Sequence, residues 1–305
     1  MREAFFGTVE EIAAIDRRVC LVVGDLGFGV VERFARRFPD RFVNVGVAEQ
    51  NMTAIATGLA LNGKVVFTYS IGNFATLRCL EQIRNDVCYH DANVKIVAVG
   101  GGFAYGALGA THHATEDLAI MRALPGMTVV APGDPWEVVR ATRAVAARTG
   151  PCYLRLGRVG EPIVHQPTQD FTIGRAIRVR EGRHVTLIST GSLLGTAVAV
   201  ADRLRATGVE VRVVSMHTIK PLDIEEICAA ARETGGIVSI EEHGVLGGLG
   251  GAIAEVLAEA TDLKVPFKRC GVAAEFPTTA GSQDYMRALC GLSEAALVRT
   301  LEAFL

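Results

Sequence analysis

The chain has 305 residues, about twice the length of a usual domain, so two domains are expected. Half of the residues are apolar and 33 are glycine, which favours a compact α/β protein and argues against disorder or a disulfide scaffold. The 31 basic and 33 acidic residues give a net charge of −2, so we expect no nucleic-acid partner and no anionic membrane partner.

In the first half, apolar runs alternate with amphipathic stretches, a pattern typical of repeated strand–helix units. One helix is predicted over 48–61, where apolar residues recur at the spacing of a single buried face. Another is predicted over 135–148, because Asp134, Pro135 and Glu137 provide an N-cap, a first-turn proline and a returning glutamate. The predicted strands of this half are 19–24, 42–46, 64–69, 94–99, 127–131 and 152–156.

A polar stretch rich in proline and glycine then interrupts the alternation. We predict a first domain over 1–160, a linker over 161–172 and a second, smaller domain over 173–305. The predicted strands of the second domain are 184–189, 209–214, 236–241 and 265–269, and its predicted helices are 194–207, 223–233, 248–260 and 293–304. The fold class is therefore α/β, with two doubly wound domains built on mainly parallel sheets.

The N-terminus has no apolar signal core, and the longest uncharged stretches are broken by glycine, threonine and histidine. We therefore predict a cytoplasmic protein that does not span a membrane. The seven cysteines include no CxxC pair, which is typical of reduced thiols, and we assign no metal ligand to the chain. The glycine-rich segment 244–251 lacks GxGxxG spacing and is interpreted as a turn that lets the following helix pack close to the sheet.

Glu49 lies in the first helical turn of the segment 41–52, which runs from a strand through a tight turn into a helix. From the residues alone, its carboxylate is interpreted as a solvated partner of the helix dipole, worth about 0.3–1 kcal/mol. The segments that strongly resemble the pyrimidine-binding domain of transketolases, in order and spacing, are 41–52, 58–63, 81–85, 93–96, 109–112, 116–125 and 154–158. Because 219–223 and 241–250 resemble the C-terminal domain of that family, the resemblance covers essentially the whole chain.

One family feature is missing from this sequence. In transketolases, the other half of the enzyme binds the diphosphate of thiamine diphosphate through Mg²⁺ with a GDG…N motif, and segments 24–27 and 133–135 are poor matches to it. The resemblance therefore implies the C-terminal subunit of a split transketolase. A separate N-terminal subunit would carry GDG…N and the Mg²⁺ ligands, in an α2β2 heterotetramer with homodimeric contacts.

The resemblance also implies roles for individual residues. Glu49 would hydrogen-bond the pyrimidine nitrogen of the cofactor and activate it, Phe74 would stack on the pyrimidine, and His112 would assist at the substrate oxygen. From spacing alone, positions 71, 74 and 77–78 form a buried apolar helix face, and this interpretation stays open. The other implied cofactor-binding residues are Asp25, Leu26, Ile71, Leu77 and Arg78.

Arginines are candidates for binding a substrate phosphate, because the guanidinium fork matches that dianion. The resemblance points to Arg158 and also to Arg2 and Arg155. At the neighbouring histidine pair, His112 matches the family's substrate histidine, whereas His113 stands where the family usually has an amide side chain. His112 is therefore the predicted substrate-binding histidine.

Three positions in the substrate channel depart from the family pattern. Leu108 stands where transketolases usually have an aspartate, Gly100 where they have a histidine and Gly29 where they have a phosphate-binding serine. Each change removes a polar contact. Because an apolar wall recognises hydroxyl groups weakly, we predict a less hydroxylated or differently phosphorylated substrate.

The predicted function is transfer of a two-carbon ketol unit through thiamine diphosphate, by a transferase that is active only with its partner subunit. One alternative keeps the cofactor but decarboxylates a 2-oxo acid such as pyruvate and passes on an acetyl unit, which Leu108 would tolerate. Another is a noncatalytic regulatory or scaffolding subunit. The substrate is accordingly a small sugar phosphate or a 2-oxo acid.

Overall fold

The structure is a computed structural model that describes residues 1–158 and 160–305. Its strands are β1 (Val19–Val23), β2 (Phe42–Asn44), β3 (Val65–Ile71), β4 (Val94–Val99), β5 (Thr128–Val130), β6 (Cys152–Leu156), β7 (Ile177–Arg180), β8 (Val185–Ser189), β9 (Val211–Ser215), β10 (Thr218–Lys220), β11 (Ile237–Gly244) and β12 (Phe267–Val272). Its helices are α1 (Arg2–Ile15), α2 (Val31–Arg37), α3 (Glu49–Leu61), α4 (Gly72–Ala75), α5 (Leu80–Gln82), α6 (Asp117–Ala123), α7 (Pro135–Ala147), α8 (Leu194–Arg205), α9 (Ile224–Glu233), α10 (Leu249–Glu259), α11 (Gln283–Leu289) and α12 (Glu294–Phe304).

Within the described residues, the strands form a large sheet of seven and a small sheet of five. The large sheet has the order β10-β5-β6-β4-β3-β1-β2, and its strands are parallel except β10. The small sheet has the order β12-β11-β8-β9-β7, and its strands are parallel except β7. This confirms the predicted α/β fold class with mainly parallel sheets.

The buried strands explain why the apolar runs are nearly continuous. Every residue of β1, β3, β4 and β6 is buried, because helices cover both faces of the large sheet. The predicted cap of α7 is confirmed, since the Asp134 carboxylate accepts the N–H of Glu137 at 2.8 Å. Among the described residues, no helix combines the length and the apolar character needed to cross a membrane.

The strand β10 lies in the second half of the chain but belongs to the large sheet. It pairs antiparallel with β5, where Thr218 is opposite Val130. Lys220 strengthens this crossing, because its Nζ donates to the carbonyl oxygens of Arg122 and Leu124 at the end of α6. The two halves are therefore joined by a shared sheet as well as by the linker.

A sealed ionic cluster around Arg155 also joins the halves. Arg155 donates to the Asp117 carboxylate at 2.8 and 3.1 Å, and to the carbonyl oxygens of Ala114 and Glu242 at 2.7 and 3.0 Å. Its side chain is only 3% exposed. The prediction that Arg155 binds a substrate phosphate is therefore wrong, because its side chain is sealed and its Nε and Nη2 are already bonded inside the protein.

A second sealed cluster surrounds His165, in the segment that the sequence predicts to be a linker. Its Nδ1 lies 2.9 Å from Asp134 and its Nε2 lies 3.1 Å from Glu137, to which Ser215 of β9 also donates. Burial alone would lower the pKa of His165, but the bonds to Asp134 and Glu137 outweigh it and raise the pKa to about 9. A charged imidazole therefore holds the linker against the first half.

The glycine-rich segment is a turn that forms the start of α10, as predicted. The N–H groups of Leu249 and Gly250 donate to the buried Glu241 carboxylate at 2.7 and 2.8 Å. A Cβ at Gly250 would lie 2.8 Å from the Ser239 hydroxyl, so only glycine allows this close approach of helix and strand. A protein carboxylate thus occupies this helix terminus.

Candidate active site

The candidate site lies at the carboxyl edge of the large sheet. The loops that follow β1, β2, β3, β4 and β6 meet there, and they carry the predicted site residues. Open α/β sheets bind ligands at this edge, where several strand ends converge. The topology therefore brings together segments that are far apart in the sequence.

Glu49 is the first residue of α3, and its side chain is buried, with the residue 1% exposed. Its Oε1 accepts the Ser70 hydroxyl at 3.0 Å, and its Oε2 accepts Nη1 of Arg78 at 2.7 Å. A Cβ at Gly24 would lie 3.3 Å from the Glu49 side chain, so the β1 loop packs closely on it. The interpretation of Glu49 as a solvated helix-dipole partner is wrong, because this carboxylate is enclosed by three chain segments.

Arg78 stacks on Phe74 while it pairs with Glu49. Its guanidinium carbon lies 4.1 Å from the centre of the Phe74 ring, and its side chain is 42% exposed. The guanidinium therefore separates a buried acid and an aromatic face from solvent. A flat ring that carries an N–H donor would make the same two contacts.

His112 adjoins this group, with its ring centre 5.2 Å from that of Phe74. Its Nδ1 lies 3.0 Å from the Thr111 hydroxyl. Burial lowers the pKa of His112, and the nearby His113 and Arg78 act in the same direction. The imidazole is therefore neutral at pH 7 and can either donate or accept a hydrogen bond.

His113 has a different environment from His112. It is buried, its Nε2 lies 3.0 Å from the carbonyl oxygen of Gly106, and its ring packs edge-on against Phe103. His113 therefore holds the loop that follows β4 in place.

The remaining cofactor candidates line the same edge with different exposure. Asp25 follows β1 in a left-handed conformation and exchanges hydrogen bonds with the Asn44 side chain at 2.9 and 3.1 Å. Leu26 is half-buried, whereas Ile71 is buried in the core. Leu77 is partly exposed next to Arg78. The structure thus brings Asp25, Leu26 and Leu77 to the accessible edge and leaves Ile71 inside.

The substrate candidates lie at the rim of the site. Arg158 is exposed, with its guanidinium carbon 5.1 Å from the centre of the Tyr105 ring. Arg2 at the start of α1 is half-buried, and Leu108 is exposed. Gly29 has a φ of +84° and donates its N–H to Glu32, so a serine there would be strained. Gly100 is in contact with Tyr105.

Two residues of this region were not predicted from the sequence. Ser70 binds Glu49 from the end of β3, and Tyr105 lies against Gly100. A hydroxyl just before the 71–78 segment was a usable signal for Ser70, because polar side chains at strand ends often face ligand sites. Tyr105 gave no comparable signal, since its position depends on the path of the loop.

Large apolar side chains surround the site on its accessible side. Val47 is 75% exposed, Phe28 is 71% exposed, and Leu77 and Leu108 are also exposed. Exposed apolar groups gathered around a site are typical of an interaction surface. No group of three or more histidine, cysteine, aspartate or glutamate side chains suited to a metal ion occurs in the described part of the chain.

These features define an α/β protein with a buried acid beside an aromatic ring at the carboxyl edge of its large sheet. Family models support a specific assignment: "Transketolase, pyrimidine binding domain" matches residues 1–159, and "Transketolase, C-terminal domain" matches residues 174–297. The chain therefore belongs to the transketolase family, whose enzymes depend on thiamine diphosphate.

Relatives named as subunits match the chain along nearly their whole length. The 6-deoxy-6-sulfo-D-fructose transketolase subunit SqwH of Clostridium sp. (strain MSTE9) is 37% identical over 98% of this chain and 92% of its own. An apulose-4-phosphate transketolase subunit of Phocaeicola vulgatus is 37% identical over 99% and 96%. By contrast, the 1-deoxy-D-xylulose-5-phosphate synthase of Oleidesulfovibrio alaskensis is 36% identical over 98% of this chain but 47% of its own.

A solved structure agrees with this assignment. The protein described as "Split gene transketolase, inactive beta4 tetramer" is 37% identical, has a TM-score of 0.89, and is matched over 99% of this chain and 96% of its own. A transketolase from Campylobacter jejuni, 19% identical with a TM-score of 0.83, shows the same fold. The predicted kinship with subunits of split transketolases is confirmed.

Proposed function

We propose that this subunit holds the pyrimidine end of thiamine diphosphate between Glu49 and Phe74, in a two-component enzyme that transfers a two-carbon ketol unit. The observation that carries the proposal is the buried Glu49 carboxylate, whose accessible partner is a flat cation stacked on Phe74. The aminopyrimidine of the cofactor offers the same flat face and the same hydrogen-bonding edge. The residues present therefore fit this end of the cofactor.

Glu49 would form a hydrogen bond with the pyrimidine nitrogen from its buried position, where Ser70 fixes the orientation of the carboxylate. Phe74 would support the face of the ring, and Arg78 would move towards solvent, because its exposed side chain is free on that side. Bound thiamine diphosphate supplies the carbon nucleophile of the reaction. The neutral His112 would donate to, or accept from, a substrate oxygen next to Phe74.

The diphosphate end requires a second chain. The described residues provide no cluster for a metal ion, and the exposed Phe28 and Val47 beside the site suit a covering subunit. A partner that carries GDG…N would supply the Mg²⁺ ligands in an α2β2 assembly. The relative described as an inactive β4 tetramer supports this division, because it is a chain of the same kind assembled only with itself. A cytoplasmic location stays a prediction.

We propose a ketose with a terminal oxyanion as the substrate class. Two relatives matched over nearly their whole length are named for a sulfonated and a phosphorylated sugar. Leu108, in place of the aspartate usual in the family, is expected to make fewer hydroxyl contacts with the substrate. Neither alternative is favoured: these relatives are named as transketolase subunits, and the grouping of Glu49, Phe74 and His112 gives a noncatalytic role no support.

Calorimetric titration with thiamine diphosphate and Mg²⁺ tests the shared site. We expect weak binding to the isolated chain and tight, Mg²⁺-dependent binding after addition of a GDG…N subunit. Glu49→Gln in the same mixture is the matched control and should weaken binding without preventing assembly. Full affinity of the isolated chain would contradict the split-site model.

Donor profiling tests the reaction class. We expect the assembled enzyme to use ketose phosphates or sulfonates as donors and to leave pyruvate unconsumed. The variant Leu108→Asp should raise activity towards common pentose phosphates, because it restores a hydroxyl contact. Ordinary pentose-phosphate rates in the unmodified enzyme, together with lower rates in the variant, would show that sugar recognition is not altered.

A further inference from the structure

The loop that carries His112 is anchored at its end and exposed just before the histidine. Ala114 and Gly102 exchange backbone hydrogen bonds, both at 2.9 Å. A Cβ at Gly72 would lie 2.6 Å from the Cβ of Ala114, so α4 packs closely on this end of the loop. Thr111, by contrast, is exposed. The position of the imidazole therefore depends on what holds this exposed stretch.

Asn73 of α4 contacts the backbone on both sides of His112. Its Nδ2 donates to the carbonyl oxygen of His113 at 2.7 Å and, over a longer distance of 3.4 Å, to that of Thr111. These two residues come directly after and directly before His112. One amide group therefore restrains both neighbours of the histidine.

The other half of the Asn73 amide is unfavourable where it lies. The Oδ1 is buried and has no hydrogen-bond partner among the described residues. A buried acceptor without a donor costs free energy, which an apolar side chain of similar size would avoid. What asparagine adds over such a side chain is the Nδ2 donor, and with it the two contacts to the loop.

Asn73 also adjoins the aromatic ring of the site. The next residue is Phe74, whose ring meets the His112 imidazole edge-on with the ring centres 5.2 Å apart. The Thr111 hydroxyl lies 3.0 Å from Nδ1 of the same imidazole. Because Asn73 restrains the backbone of Thr111 and precedes Phe74, a shift of the loop away from Asn73 would change both contacts of the imidazole.

We propose that Asn73 is a positioning residue, which fixes the backbone around His112 and so sets the place of the imidazole relative to the substrate oxygen. This inference rests on the proposed function and deepens it. A displacement of about 1 Å in a reacting group can lower a rate about 10²-fold, although the group itself is unchanged. Loss of Asn73 should therefore lower kcat more than it raises KM.

Steady-state kinetics of the assembled enzyme test this role, with xylulose 5-phosphate or 6-deoxy-6-sulfofructose as donor. Asn73→Leu should lower kcat about 10–100-fold and leave KM within about three-fold. The matched control is Asn62→Leu, which removes a bond of the same kind, from Nδ2 to the Gly58 carbonyl oxygen at 2.8 Å, at the end of α3. This control should keep full kcat. Full kcat in Asn73→Leu would overturn the inference.

A double-mutant cycle separates positioning from a general structural effect. If Asn73 acts through His112, adding Asn73→Leu to His112→Gln should lower kcat by less than about two-fold further. A second loss as large as the first would overturn the inference. Asn73→Asp keeps the size of the side chain, and its carboxylate cannot donate to the two carbonyl groups. It should give the same kinetic result, and it replaces Asn73→Leu in the cycle if that variant does not fold.

NMR titration of the histidines in the full chain gives a readout that does not depend on activity. Burial holds the pKa of His112 below its ordinary value. Release of the loop in Asn73→Leu should expose the imidazole and raise this pKa, whereas Asn62→Leu should leave it unchanged. An unchanged pKa in Asn73→Leu would overturn the inference. Full kcat in His112→Gln would instead refute the proposed role of His112, while the titration would still decide whether Asn73 holds the ring.

Discussion

The Glu49–Arg78 and Asp117–Arg155 pairs each join a buried carboxylate to an arginine, and they differ in the exposure of that arginine. Arg155 on Asp117 is 3% exposed, whereas Arg78 on Glu49 is 42% exposed. Both acids are fully buried, so both need a compensating charge. The first arginine is sealed inside the protein, but the second can move into solvent. The exposure of Arg78 agrees with the proposed replacement of this arginine by a ligand, whereas the sealed Arg155 leaves no such route.

The surroundings of the two acids sharpen this contrast. Asp117 accepts hydrogen bonds from both Tyr153 and Arg155. Burial alone would raise the pKa of Asp117, but the charge of Arg155 holds it below its ordinary value. Glu49 has protein donors on one side and the movable Arg78 on the other. Removal of each arginine should therefore have effects of different kinds.

The largest expected effect is at the replaceable pair. Glu49→Gln should lower the activity of the assembled enzyme by about 10²–10⁴-fold, because it removes an acid–base group. Its folded state should be little changed, since the amide oxygen can still accept from Arg78 while the amide N–H donates to the Ser70 hydroxyl. Steady-state rates and thermal unfolding of the same sample check both statements. If the variant unfolds, Glu49 has a structural role like that of Asp117.

At the sealed pair, Arg155→Met should lower the free energy of unfolding by about 3–5 kcal/mol, because it leaves the Asp117 charge buried without compensation. Urea denaturation measures this loss. The exposed Arg158→Met, three residues further along the chain, is the matched control and should change stability by less than about 0.5 kcal/mol. Similar losses of unfolding free energy in Arg155→Met and Arg158→Met would show that the buried pair with Asp117 does not contribute more to stability than an exposed arginine.

The sealed cluster at His165 should make stability depend on pH. Its pKa is about 9 in the folded protein and 6.5 in a free side chain, so folding favours the protonated form. This stabilisation is complete below pH 6.5 and is lost as the pH rises through 9, with a total of about 3 kcal/mol. Urea unfolding from about pH 6 to about pH 9.5 measures the slope, and His165→Gln should flatten it. An unchanged slope in that variant would assign the pH dependence to other groups.

The smallest expected effect is at Arg78. Arg78→Met should destabilise the isolated chain by about 1–2 kcal/mol, since solvent compensates part of the loss at an exposed partner. It should leave the affinity of the assembled enzyme for thiamine diphosphate within about three-fold, because the cofactor takes over the contacts to Glu49 and Phe74. Chemical denaturation measures the change in stability, and calorimetry measures the affinity for the cofactor. A loss of affinity of about ten-fold or more would show that Arg78 contacts the bound cofactor directly.

Features set by local chemistry could be predicted from the sequence. Asp134 caps α7 as expected, and the alternating apolar runs correspond to the parallel strands. Features set by distant contacts could not. Spacing placed Glu49 in solvent, because it does not reveal that Ser70 and Arg78 cover it.

Contacts between residues distant in the sequence also explain the other features that were not predicted. Arg155 resembles a phosphate ligand in sequence, and only the folded chain brings Asp117 to it. Tyr105 fills the space at Gly100 through the path of a loop, which no periodicity encodes. The short strand β10 was missed because three residues carry too little pattern to distinguish a strand from a turn.

The position of β10 has a consequence for how the protein is made and degraded. During synthesis, β5 keeps an open edge until the ribosome has released residues well beyond the linker, so the large sheet matures late and needs protection from misassembly. The same pairing protects the finished molecule. A protease that cuts at the exposed residues 166–168 would leave two fragments held together by β10 and the Arg155 cluster.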